Sequence, residues 1–87
     1  MSMQAELESQ GYRCFAWSDR PGTVYPPHTH PHDEVLCILR GCMEMEVAGR
    51  RHLLEPGDRL ELPRNTVHSA RVLGDEPVEY LIAQRCL

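Results

Sequence analysis

The chain is 87 residues long and 41% hydrophobic, enough for one small packed domain over residues 1–87 and too short for a second, with a core so limited that a metal ion or a homodimer partner is an expected supplement. Its net charge of −4 comes from nine arginines, no lysine and thirteen acids, so there is no basic stripe to follow phosphates and nucleic acid is not an expected partner. The N-terminal residues lack the cationic start and apolar stretch of an export signal and no run is long enough to span a bilayer, so the reading is a soluble cytoplasmic protein with no membrane partner.

Residues 1–10 contain helix formers (Gln4, Ala5, Glu6, Leu7, Glu8) stopped by Gly11, which predicts a short helical turn or a loose arm. Tyr12 to Trp17 alternates as a strand, and Ser18-Asp19-Arg20-Pro21-Gly22 reads as a turn. The chain resumes at Thr23 and meets Pro26-Pro27, which cannot donate to a central ladder and so belongs at a sheet edge. Val35 to Leu39 is a continuous apolar strand closed by Arg40-Gly41. Met43, Met45 and Val47 then share one face and Glu44 and Glu46 the other, with 48–51 turning back into His52-Leu53-Leu54.

Glu55-Pro56-Gly57-Asp58 is a strong turn signal, after which Leu60 and Leu62 alternate with Arg59 and Glu61. Pro63-Arg64-Asn65 turns the chain so that His68, Ala70 and Val72 face one way, and Val78 to Ala83 is the closing strand. Many short antiparallel strands with turns at regular intervals define an all-β chain, a small β-barrel or jelly roll.

The run Pro27-His28-Thr29-His30-Pro31-His32-Asp33-Glu34, with His68 downstream, places three imidazoles and a carboxylate at spacings that suit one metal ion. If 28–30 is extended, His28 and His30 point to the same side, Glu34 can return to it after a short corner, and His68 arrives from another strand. Without a metal, these groups inside an apolar barrel would each need another hydrogen-bond partner, which is costly. His32 shares their parity and reads as a rim residue that orients Glu34 or touches ligand; Asp33 reads as solvent-facing, and His52 as exposed.

Cys14, Cys37, Cys42 and Cys86 form no Cys-x-x-Cys pair and read as reduced thiols on strand faces, Cys37 opposite to Glu34. Tyr25, Leu36, Ile38, Met43, Met45, Leu60, Leu62, Ala70 and Tyr80 are candidates for the wall around the cluster, with Arg59 and Arg71 pointing outward. No basic residue aims inward, which argues against a sugar phosphate or similar strongly anionic substrate. The outward apolar residues Val35 and Cys37 suggest the dimer face.

These residues resemble the cupins, small β-barrels with two motifs. The first, G-x(5)-H-x-H-x(3,4)-E-x(6)-G, is matched by Gly22, His28, His30, Glu34 and Gly41; the second, G-x(5)-P-x-G-x(2)-H-x(3)-N, by Gly57, Pro63 and His68. Asn65 replaces the glycine of the second motif, and being tolerant of left-handed backbone it is a mild departure; Val72 replaces the final asparagine, away from any ligand position. The resemblance implies His28, His30, Glu34 and His68 as ligands of one divalent transition metal ion (Fe, Mn, Ni, Cu or Zn), with two coordination positions left open.

It also implies a small-molecule ligand or substrate, while leaving the reaction open, since small cupins include dioxygenases, isomerases, and lyase-type and cyclase-type proteins. The favoured reading is a metal-dependent enzyme with His32, Glu34 and Tyr25 as candidate catalytic residues; the alternative is a non-catalytic module that binds or senses a small ligand.

Overall fold

The computed structural model describes residues 2–85; Cys86 lies outside them. One helix, α1 (Met3–Ser9), precedes eight strands: β1 (Arg13–Asp19), β2 (Val24–His28), β3 (Asp33–Arg40), β4 (Cys42–Val47), β5 (Arg50–Leu54), β6 (Arg59–Leu62), β7 (His68–Leu73) and β8 (Val78–Arg85). They form two four-stranded sheets, β1-β8-β3-β6 and β2-β7-β4-β5, with antiparallel pairing throughout, which is the jelly-roll arrangement expected from the sequence. Leu36, Ile38, Met43, Met45, Leu54, Leu62, Val72, Val78 and Tyr80 form the apolar core.

The N-terminal residues form a real helix. Ser2 caps it by accepting a hydrogen bond from the Ala5 N–H at 3.1 Å, and Leu7 is fully buried against Val35, Cys37, Leu81 and Ala83 on the outer face of the first sheet. Val35 and Cys37 are therefore covered from within the chain, and the face the sequence suggested for dimerisation is not free.

Several boundaries differ from the sequence reading. β1 begins at Arg13 and runs on through Ser18 and Asp19, because β8 continues to pair with it, Ser18 with Glu79 and Asp19 with Val78. β3 starts at Asp33 and ends at Arg40, paired with β8 along its length and with β6 over Glu34 to Cys37. The β4–β5 turn is only Ala48-Gly49, both at positive φ (49° and 82°), so Arg50 and Arg51 belong to the strand; this is the two-residue geometry whose twist matches the flanking strands. Pro26-Pro27 does sit at an edge, on β2, where the register shifts. His52 stands opposite Met45 and is half-buried, not exposed.

Gly41 carries the sharpest steric demand. Its φ is +79°, and an added Cβ would fall 2.9 Å from the Val78 Cα, against backbone that cannot retreat without disturbing β8. Gly41→Ala is expected to lower stability by about 2–3 kcal/mol, combining left-handed strain with this clash, which a thermal melt would register as a fall in Tm of roughly 10–20 °C.

Candidate metal centre

The last residue of β2, His28, lies directly opposite the first residue of β7, His68. Each ring is pinned through Nδ1: His28 Nδ1–H donates to the Pro26 carbonyl at 2.6 Å and His68 Nδ1–H to the Thr66 carbonyl at 3.0 Å. A carbonyl only accepts, so the hydrogen belongs on Nδ1 and Nε2 is left as a free lone pair, the tautomer a metal ligand requires.

His30 reaches the same place by a different route from the one expected. It lies beyond the end of β2, so strand alternation does not position it; its carbonyl instead accepts a 2.8 Å hydrogen bond from the Asn65 N–H. Asn65 has φ 59°, the left-handed conformation anticipated for it. The ring centroids of His28, His30 and His68 are 4.3 to 5.0 Å apart, and one donor atom of each lies within 4.8 Å of the others. Burial holds the His30 imidazole below its ordinary pKa, opposed by the nearby Glu34 carboxylate and reinforced by the neighbouring histidines.

Glu34 is buried on β3. Its Oε2 lies 2.8 Å from His32 Nε2, accepts a hydrogen bond from Gln84 Nε2 at 3.2 Å, and is 3.8 Å from His30 Nε2. His30, His32 and Glu34 make a second group of potential donors, so two triads share His30. His32, expected at the rim, touches Glu34 directly. Asp33 is not simply solvent-facing: it accepts the Arg64 backbone N–H at 2.9 Å and lies beside the Arg64 and Arg85 guanidinium groups. That backbone hydrogen bond, aided by the two cations, holds its carboxyl below the ordinary range and ties the start of β3 to the 63–65 turn.

The imidazole cluster opens into a cavity of about 370 Å³ between the sheets. Of the wall expected from the sequence, Tyr25, Leu36, Met43, Met45, Leu62, Ala70 and Tyr80 line it, while Ile38 and Leu60 belong to the core beneath. Trp17, Ile82 and Gln84 also line it and were not anticipated. Ile82 and Gln84 share β8 parity with Tyr80, and that alternation was a usable signal; Trp17 stands opposite Tyr80 across the β1–β8 ladder. Among the described residues no arginine lines the cavity, and Arg71 points outward to Glu44 at 3.2 Å.

At the Trp17 side of the cavity Asp19 collects three donors. Tyr25 Oη–H reaches its Oδ1 at 2.6 Å, Trp17 Nε1–H the same oxygen at 3.1 Å, and Tyr80 Oη–H its Oδ2 at 2.7 Å. Burial first, then the adjoining Asp19, raises the pKa of both phenols above the ordinary value of 10.0. The folded protein thus keeps a proton on Tyr80 that the unfolded chain releases above about pH 10, so stability is retained below that pH and falls as pH rises past it. Melts across this range should show the alkaline loss in the native protein and a shallower one in Tyr80→Phe.

Residues 16–83 match the Cupin_2 family, described as the cupin domain, and the chain belongs to that family. Among solved structures it is similar to KdgF from Halomonas sp., with 31% identity and a TM-score of 0.72 over 87% of this chain and 71% of that one. It is also similar to the DMSP lyase DddQ from Ruegeria pomeroyi, with 25% identity and a TM-score of 0.74 over 90% of this chain and 48% of the other, and shares the fold of the Cnp3 cupin domain from Schizosaccharomyces pombe, with 18% identity and a TM-score of 0.82 over 88% and 54%. The chain thus spans about half the length of these last two. No curated protein sequence matches it. No helix among the described residues is long and apolar enough to cross a membrane.

Proposed function

We propose that His28, His30 and His68, with Glu34 as the fourth donor, hold one divalent transition metal ion, and that this cupin is a metal-dependent enzyme acting on a small organic molecule. The observation that carries this reading is the pinning of His28 and His68 by backbone carbonyls, which turns two Nε2 lone pairs toward His30 at the head of a cavity. Imidazole and carboxylate donors suit Fe, Mn, Ni, Cu or Zn. When bound, such an ion supplies Lewis-acid polarisation of an oxygen donor on the substrate.

The chain's own residues provide the rest. His32 and Glu34, in direct contact, hold a proton between them beside the imidazole cluster and are the pair suited to move it. Tyr25 has its hydroxyl hydrogen committed to Asp19, which removes it from that role. Similarity to a DMSP lyase at 25% identity supports an enzyme over a passive binder. A homodimer, if formed, uses a surface other than Val35 and Cys37.

Elemental analysis of protein purified without chelator tests the proposal. About one equivalent of a single metal is expected. No metal, and none taken up when each ion is supplied in turn, would overturn it; metal present in a protein that binds a small molecule without consuming it would favour the sensing module.

A further inference from the structure

The cavity has a second polar feature besides the histidines, and every hydrogen in it points to one acceptor. Tyr25, Trp17 and Tyr80 bring three hydrogens to Asp19, and all three are used on its two carboxylate oxygens. The three donors come from β1, β2 and β8, so the arrangement fixes both phenols relative to the cavity they line. A phenol whose hydrogen is engaged retains only acceptor capacity. This wall can therefore receive a hydrogen bond and cannot give one. The fixed charge behind it is negative, and no arginine among the described lining residues offsets it.

We propose that Tyr25 and Tyr80, oriented by Asp19, form a specificity element that accepts a hydrogen bond from a hydroxyl or ammonium group on the small molecule bound in the cavity and rejects an ether or ketone oxygen at the same place. Combined with the proposed metal, on whose reading the other end of this inference rests, the cavity would select a two-ended molecule: an oxygen donor such as a carboxylate toward the histidines, and a hydrogen-bond donor toward the phenols. The neighbouring apolar residues, Leu36, Met45 and Ala70, suit a short hydrocarbon span between them. Asp19 touches no ligand in this scheme and is a positioning residue.

Asp19→Asn separates this role from a merely structural one. The carboxamide oxygen still accepts from one phenol, but its N–H₂ donates to the other, whose own hydrogen is then released toward the cavity. The preference should therefore fall toward parity while the ether itself binds tighter, having gained a donor it lacks in the native wall, a gain that loss of packing cannot imitate.

Trp17 is the only tryptophan and lines the cavity, so its fluorescence reports binding at this wall. The probes are ω-hydroxyalkanoates of increasing chain length, their ω-amino counterparts and their ω-methyl ethers, titrated into metal-loaded and metal-free protein. In the native protein the hydroxy or amino acid should bind about tenfold tighter than the ether of matched length, the factor for one neutral hydrogen bond against an unsatisfied pair. The hydroxy and amino series decide whether a neutral or a charged donor is preferred.

Tyr25→Phe and Tyr80→Phe should each erode the preference without weakening the ether, and Asp19→Asn should move the ratio about tenfold toward the ether. Equal binding of hydroxy acid and ether in native protein, an unchanged ratio in Asp19→Asn, or no binding of any probe would overturn the proposal. Metal content measured on the same samples keeps the two readings apart: a failed metal site shows as metal-free native protein, whereas a failed acceptor wall shows as metal-loaded protein without discrimination.

Discussion

Alanine in place of His28 or His68 is expected to abolish metal binding while the barrel stays folded. Each ring supplies one Nε2 donor whose orientation is set by a backbone carbonyl two residues earlier in sequence. Loss of such a donor should weaken affinity by more than the ~10- to 100-fold typical of changes to residues that only support a ligand. His32→Ala belongs to that milder class, since His32 contacts Glu34 and stacks against His30 but lies outside the group of donors formed by His28, His30 and His68. It should retain metal at saturation, with ligand affinity or rate altered.

Glu34→Gln sharpens the series. A carboxamide keeps the shape and an oxygen for the Gln84 amide to reach but removes the charge, so a fall in affinity as large as that of His68→Ala would place the carboxylate among the ligands. Metal stoichiometry, read by elemental analysis, and the metal-dependent rise in Tm, which follows affinity by mass action, give independent readouts. Full metal content in His68→Ala would sink the ligand assignment.

Much of this site was legible because its determinants are local or periodic. Spacing placed His28, His30, Glu34 and His68 together, and strand parity found most of the cavity wall, including Met43, Met45 and Tyr80. Where the sequence reading went astray, the cause was a contact between distant segments. Strand alternation alone would account for His30, yet it is placed by a hydrogen bond from Asn65, thirty-five positions along the numbering. Composition alone puts Ser18 and Asp19 in a turn, yet pairing with β8 keeps them in the strand, and Asp19 draws two tyrosines and a tryptophan from three strands. An aspartate beside Pro-Gly carries the usual signature of a turn. Only the β8 register, invisible in a single sequence, makes it the hub of a cavity wall.

Leu7 presents the same contrast on the outside of the molecule and carries the largest expected stability effect. A helix of seven residues has little stability of its own, so α1 is held by what it covers. Leu7 is fully buried, and beneath it lie Val35, Cys37, Leu81 and Ala83, also buried. Leu7→Ala should cost about 2–4 kcal/mol from lost burial and the cavity left behind. Leu7→Asp should detach the helix outright, because a carboxylate cannot remain in that contact unpaired.

Two consequences distinguish detachment from general unfolding. Burial keeps the Cys37 thiol above its ordinary pKa in the native fold, although Arg59 partly opposes this, and the thiol is sealed from reagent. Mass-spectrometric mapping after alkylation should show Cys37 modified rapidly in Leu7→Asp and slowly in the native chain. The freed apolar strip on β3 and β8 should also promote self-association, visible as faster-sedimenting species at high concentration. Metal binding should persist in the variant, because Glu34 has the opposite parity on β3 from the Val35 and Cys37 that Leu7 covers, and His28 and His68 lie on the other sheet. Unchanged Cys37 labelling in Leu7→Asp would show that α1 is not what protects that face.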